Sequence, residues 1–269
     1  MSDGAAGMSQ AEVKQCCAAF YGSDYARFLL GDSFHPGGTK LTHELGERLA
    51  LGRHSTVLDV ASGRGTSALY LAETFGCKVV GLDLSEENVR LSQESANLRG
   101  LEELVRCEVG DAESLAFADG SFSAIICECA FCTFPDKAKA SGEFFRVLQS
   151  DGQVGLTDLT RCAGTPPELE GLLAWISCIG DAQPVARYAS WLAKSGFTVD
   201  EMLDRSESLI EMVKQVRGKM LLAEVMVGLK KLPLPHLDLN QAKGFLTAVS
   251  KALDRGELGY ALLTAHKTV

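Results

Sequence analysis

Asp59-Val60-Ala61-Ser62-Gly63-Arg64-Gly65-Thr66-Ser67 is the stretch that decides the fold. The apolar run Thr56-Val57-Leu58 before it predicts a short buried strand, and Ala68-Leu69-Tyr70-Leu71-Ala72 after it predicts the start of a helix. An acid, two close glycines and a helix N-terminus make the kind of loop on which a doubly wound sheet presents a nucleotide-like ligand. Gly63 and Gly65 let the backbone turn tightly and approach the ligand with no Cβ in the way. The helix start adds free N–H groups and a positive dipole end.

Outward from this loop, strands and helices alternate. The pattern predicts strands over 56–60, 78–83, 105–109, 123–127 and 153–158, with helices over 67–75, 86–99 and 137–148 between them. Such alternation implies βαβ units and a parallel sheet. Upstream, helices are predicted over 10–20 and 25–30. The turn-rich Phe34-His35-Pro36-Gly37-Gly38 follows, then a helix capped by Thr39 and running to about 51. Downstream, 197–203 and 258–264 read as a final pair of strands of antiparallel character. A helical stripe including Leu209, Met212, Val213, Val216 and Met220 runs over 206–229, Leu232-Pro233-Leu234-Pro235 breaks it, and a second helix covers 238–255. The expected organisation is a helical segment or lid over 1–50, a Rossmann-like core over 51–205, a helical insertion over 206–256 serving as a cap or dimer surface, and the last core strand over 257–269. The fold class is α/β: a doubly wound, seven-stranded, mostly parallel sheet.

The 269 residues, 46% hydrophobic, suffice for a sizeable core. No run reaches the roughly 18 apolar residues of a membrane span, and Met1-Ser2-Asp3-Gly4 lacks the basic and apolar regions of a secretory signal. The expected location is cytoplasmic. A net charge of −9 argues against nucleic acid as a partner. Nine cysteines without an export signal do not predict a disulfide framework. Most read as small buried hydrophobes, Cys77 and Cys107 among them. The group Cys127, Cys129, Cys132 and the vicinal Cys16-Cys17 stand apart.

In open α/β sheets the ligand lies beyond the carboxyl ends of the strands. Asp83 ends the second strand, where a carboxylate can accept both hydroxyl hydrogens of a ribose. Asp111, in Gly110-Asp111-Ala112 after the third, can accept from an adenine amino group. Each is also a residue type that caps turns. The third glycine of a dinucleotide fingerprint is absent. Val57-Leu58-Asp59-Val60-Ala61-Ser62-Gly63-Arg64-Gly65, Gly81-Leu82-Asp83-Leu84-Ser85, Gly110-Asp111-Ala112 and Leu148-Gln149-Ser150-Asp151-Gly152-Gln153 together resemble the class I S-adenosylmethionine-dependent methyltransferases over about 51–158. Ala61 stands where that family has its first glycine. The resemblance implies a seven-stranded sheet with an antiparallel last pair and S-adenosyl-L-methionine as cofactor. It places Asp59, Ala61, Ser62, Gly63 and Gly65 at the methionine end, Asp83 and Leu84 at the ribose, Asp111 and Ala112 at the adenine, and Glu128 near the amino group or as a base.

The loop after the fourth strand, Cys127-Glu128-Cys129-Ala130-Phe131-Cys132-Thr133-Phe134-Pro135-Asp136-Lys137, is rich in soft sulfur. It resembles arsenite methyltransferases, with Cys129 at one metalloid-binding position. Cys178, in Trp175-Ile176-Ser177-Cys178-Ile179-Gly180-Asp181-Ala182, falls at the second. The N-terminal pattern diverges: those relatives carry two separated cysteines before the glycine loop, and here only Cys16-Cys17 precede it. The resemblance implies methyl transfer to a thiol-bound trivalent metalloid, with Cys129 and Cys178 catalytic, Cys132 and Cys17 assisting in substrate binding, and cellular thiols as further partners. The alternative is a methyltransferase for a small organic acceptor, with Glu128 or His35 as base and the cysteines as pocket lining. A third reading is a cofactor-binding sensor without turnover. His35 reads as an exposed turn residue ahead of a base or lid residue. Phe131 and Phe134 read as pocket wall, and Tyr21 and Tyr25 either close over the cofactor or pack the first helix. The other histidines, His43, His54, His236 and His266, lack metal-ligand spacing, so no metal is expected. A monomer or homodimer is expected.

Overall fold

The computed structural model describes residues 33–162, 177–228 and 239–268, together with residues 12, 14, 15, 19, 21, 27, 28, 30, 31, 169 and 174. The expected helices over 10–20 and 25–30 fall largely outside the described residues, as do Cys16, Cys17, Tyr25, His236 and the Leu232–Pro235 break.

Strands β1 (Thr56–Val60), β2 (Lys78–Asp83), β3 (Val105–Val109), β4 (Phe122–Glu128), β5 (Leu148–Arg161), β6 (Phe197–Asp204) and β7 (Leu258–Lys267) form one seven-stranded sheet in the order β3-β2-β1-β4-β5-β7-β6. β1 to β5 pair in parallel, whereas β7 runs antiparallel to both β5 and β6. The doubly wound sheet and its antiparallel final pair are as expected. β1 sits centrally, with Val57, Leu58 and Val60 fully buried, because a strand covered on both faces reads as a continuous apolar run. The register pairs Asp59 with Gly81 of β2 and Ile126 of β4, so the three strands end together.

The first of the helices that position the site is α1 (Gly38–Arg48); α2 (Thr66–Phe75), α3 (Glu86–Leu98) and α4 (Lys137–Val147) follow. Thr39 does not cap α1. Gly37, at φ 83°, is the N-cap, and the helix starts two residues earlier than expected. Ser85 caps α3 by accepting from the Asn88 N–H, with Glu86 and Glu87 in the favourable first turn. α5 (Val185–Lys194), α6 (Ser206–Gly228) and α7 (Leu239–Asp254) follow, the last two between β6 and β7. Among the described residues no helix is long and apolar enough to cross a membrane. Phe131 is not pocket wall. It is fully buried, its ring 5.8 Å from Tyr188 and 6.1 Å from Phe144. An aromatic side chain gains more from that cluster than from a solvated cavity.

Candidate active site

A cavity of about 130 Å³ opens beyond the carboxyl ends of β1, β2 and β4. Of the residues singled out in the sequence, Asp59, Ala61, Ser62, Gly63, Asp83, Leu84, Asp111, Ala112, Glu128 and Cys129 line it. Gly65, Cys132 and Cys178 do not. Gly65 lies just behind the loop as the N-cap of α2, at φ 78°. A Cβ there would sit 1.9 Å from Ser92 Oγ, so α3 crosses too close for any side chain. Ala61 also has a positive φ, 58°, a conformation that costs an alanine about 1–2 kcal/mol and a glycine nothing.

The loop is tied to β2. The Gly63 N–H donates to Asp83 Oδ2 at 2.8 Å, and the Ser85 N–H donates to Oδ1 at 2.8 Å. Burial still pushes the Asp83 carboxyl above its usual range, with those donors opposing. Asp59 is more perturbed. It is 2% exposed, and its Oδ2 has no hydrogen-bond partner. Burial, then the charges of Glu128 and Asp83, push its carboxyl well up. A buried, unpartnered oxygen beside two further acids is costly for the empty protein. A ligand carrying an ammonium and a sulfonium relieves that cost, so these residues fit S-adenosyl-L-methionine.

His35 is not an exposed turn residue. It is 7% exposed and lines the cavity, because α1 folds the Phe34–Gly38 turn against the ends of β1 and β4. Its Nε2 lies 3.4 Å from Glu128 Oε2 and 3.3 Å from Ser67 Oγ, and its Nδ1 lies 3.2 Å from the Pro36 carbonyl. Ser67 donates to Glu128 Oε2 at 2.6 Å, and Thr42 donates to the same oxygen at 3.0 Å. Thr42 and Ser67 were not anticipated. The available signal was a polar residue, Thr42, set beside the apolar positions Leu41 and Leu45 of a predicted helix; the structure buries all three.

At the adenine end expected from the sequence, Lys14 Nζ donates to Asp111 Oδ2 at 2.7 Å and to Glu113 Oε2 at 2.8 Å. Burial pushes the Asp111 carboxyl up, and the Lys14 hydrogen bond and charge more than offset it, leaving it below its usual range. Tyr21 also lines the cavity, with its ring 5.7 Å from Phe34 and its hydroxyl 3.1 Å from Cys178 Sγ.

The structure brings three of the sequence-flagged cysteines together. Cys178 Sγ donates to the Cys129 carbonyl at 3.3 Å and contacts the thiols of both Cys129 and Cys132. These contacts and the Tyr21 hydroxyl hold the Cys178 thiol well below its usual range, against burial. The Cys178 contact and burial push Cys129 well up, and burial and Cys178 do the same to Cys132. Beside them Asp158 accepts from the N–H groups of Cys132 and Leu159, both at 2.7 Å, and burial pushes its carboxyl up to about 7. Cys129 and Cys178 both adopt positive φ, 55° and 61°. Among the described residues no cluster of three His, Cys, Asp or Glu side chains has the arrangement of a metal-ion site.

Residues 58–156 match the family model for a methyltransferase domain. Over these residues the chain is similar to methyltransferase domains, and its seven-stranded sheet has the class I methyltransferase order expected from the sequence. It is 28% identical to the methyltransferase GfsG of Streptomyces halstedii over 88% of this chain and 82% of that protein. Phosphoethanolamine N-methyltransferase 1 of Triticum aestivum is 31% identical over 68% of this chain, but the chain spans only 36% of that protein's length. The crystal structure of a protein from Galdieria sulphuraria, designated a sarcosine dimethylglycine methyltransferase, superimposes with a TM-score of 0.79 at 21% identity, covering 92% of this chain and 98% of that one. Arsenite figures in none of these names. The comparisons favour the organic-acceptor alternative over the metalloid reading.

Proposed function

We propose that the chain transfers the methyl group of S-adenosyl-L-methionine to a small organic acceptor, most simply an amine nitrogen. The observation that carries the reading is the unpartnered Asp59 carboxylate oxygen, buried beside Glu128 and Asp83 in a cavity that His35 also lines. When bound, the cofactor supplies an electrophilic methyl on a sulfonium. Asp59, flanked by Ala61, Ser62, Gly63 and Gly65, holds the methionine end. Asp83 and Leu84 take the ribose, and Asp111 and Ala112 the adenine. Glu128, held by Ser67 and Thr42, lies beside the His35 ring and orients it. His35 Nε2 takes the proton that an amine acceptor must lose, a role in which a positioned base contributes about 10²–10⁴-fold. Tyr21, Phe34 and Phe134 wall the same cavity and limit the acceptor to a small molecule. The phosphoethanolamine and dimethylglycine named for the relatives are amines of this size. The test offers methyl-labelled cofactor with sarcosine, dimethylglycine, ethanolamine and phosphoethanolamine. Label in a methylated amine supports the reading; cofactor binding without transfer to any of them contradicts it.

A second reading, transfer to a thiol-bound trivalent metalloid, is favoured by the convergence of Cys129, Cys132 and Cys178. It requires that Cys129→Ser and Cys178→Ser each abolish arsenite methylation while cofactor affinity is kept. Under the first reading amine methylation survives both substitutions.

A further inference from the structure

The thiol group sits where the chain's two distant halves meet at the cavity. Cys129 follows β4 and lines the cavity, whereas Cys178 lies 49 residues later in the turn before α5. Cys178 Sγ is engaged from three sides: by Tyr21 at 3.1 Å, by the Cys129 carbonyl at 3.3 Å, and by the neighbouring thiols. Tyr21 itself lines the cavity, so its bond to Cys178 ties the thiol group to the cavity wall. Both cysteines occupy a left-handed backbone conformation that non-glycine residues avoid, a strain that collects at functional sites.

We propose that Cys129 and Cys178 form an oxidisable pair, which a hydroperoxide converts into an intramolecular disulfide that releases Tyr21 and weakens cofactor binding. Cys178 is the attacking group: the Tyr21 hydroxyl, 3.1 Å from its sulfur, can donate to the thiolate, the nucleophilic form. Its sulfur takes one peroxide oxygen as the O–O bond breaks, giving a sulfenic acid and, with the proton the thiol has shed, water or an alcohol. The Cys129 thiol then attacks that sulfur. The S–S bond forms, the S–O bond breaks, and the Cys129 proton leaves with the oxygen as water. The two thiols lose two electrons and the peroxide gains them. The new bond draws Cys178 Sγ from the Tyr21 hydroxyl, so the Tyr21 ring loses its tie beside Phe34 in the cavity wall. The inference leans on methyl transfer only for an activity readout; linkage and cofactor affinity are measured without turnover.

The test treats the full chain with hydrogen peroxide, alkylates the remaining thiols, and maps the linkage by mass spectrometry alongside cofactor titration. The expected result is a Cys129–Cys178 disulfide, a several-fold rise in cofactor Kd, and recovery of both with dithiothreitol. Cys178→Ser removes the oxidative shift in Kd, while substitution of the exposed Cys162 by Ser leaves it as in wild type. A linkage through any other cysteine, or a mapped Cys129–Cys178 bond with unchanged cofactor affinity, overturns the proposal. Mapping uses the wild-type protein, so it stands even if a cysteine variant fails to fold.

Discussion

The two ends of the cavity are built differently. The end proposed for the cofactor is made by contiguous segments: the Asp59–Ser67 loop, Asp83 with its α3 cap, and Gly110-Asp111-Ala112, each at the end of one strand. The opposite end is assembled across the chain, with His35 and Tyr21 from the N-terminal region, Glu128 and Cys129 at the end of β4, and Cys178, from the turn before α5, behind Tyr21 and Cys129. On the proposed reading, local geometry specifies the methyl donor, whereas the acceptor depends on tertiary packing. The family-model match over 58–156 covers the donor end together with Glu128 and Cys129, and leaves out Tyr21, His35 and Cys178.

Substitutions at the two ends should separate in kind. The largest effect is expected for His35→Ala, with kcat falling about 10²–10⁴-fold while cofactor Kd changes little. A parallel loss of cofactor affinity would place His35 at the donor end instead. Gly65→Ala comes next, destabilising the fold by roughly 2–4 kcal/mol through contact with Ser92 and the left-handed backbone. Denaturant midpoints check this, and a second substitution, Ser92→Gly, should restore the contact part of the loss.

Asp59→Asn should raise cofactor Kd about 10–100-fold, the value of a buried hydrogen bond to a charged group. Its pH dependence has a definite sign. The raised Asp59 carboxyl keeps its proton in the free protein at pH values where an exposed aspartate is ionised, and a bound cation favours the carboxylate. Cofactor Kd should fall as pH rises through that raised pKa and level off above it; the Asn variant should lose this slope. The smallest effect is expected for Ala61→Gly. Relief of left-handed strain is largely offset by the entropy of glycine, for a net gain of at most about 1 kcal/mol in thermal or chemical denaturation.

The contrast also explains what could be read in the sequence. β1, β2 and β3 occur over the expected residues, since buried strands are short apolar runs bounded by turn residues. β5 runs over Leu148–Arg161 rather than 153–158, because its antiparallel pairing with β7 continues to Arg161 and a non-local partner cannot be seen in a local pattern. The placement of Asp59, Asp83 and Asp111 at one cavity followed from strand ends alone. The burial of His35 did not, because Phe34–Gly38 carries every mark of a surface turn and is covered only once α1 packs. Thr42 and Ser67 escaped notice for a related reason: their hydroxyls matter through Glu128, 86 and 61 residues away. The meeting of Cys129 with Cys178 came from a resemblance, and the structure brings the two together; their use is a matter of chemistry.

That use is decided most directly by competition. Methyl-labelled S-adenosyl-L-methionine is given to the wild-type protein with dimethylglycine, sarcosine and glutathione-bound arsenite present together, and the labelled products are separated. Methyl transfer to a small organic acceptor predicts label in the amine, with the same products from the Cys129→Ser, Cys178→Ser double variant. Label in arsenic alone, lost in that variant, would contradict it.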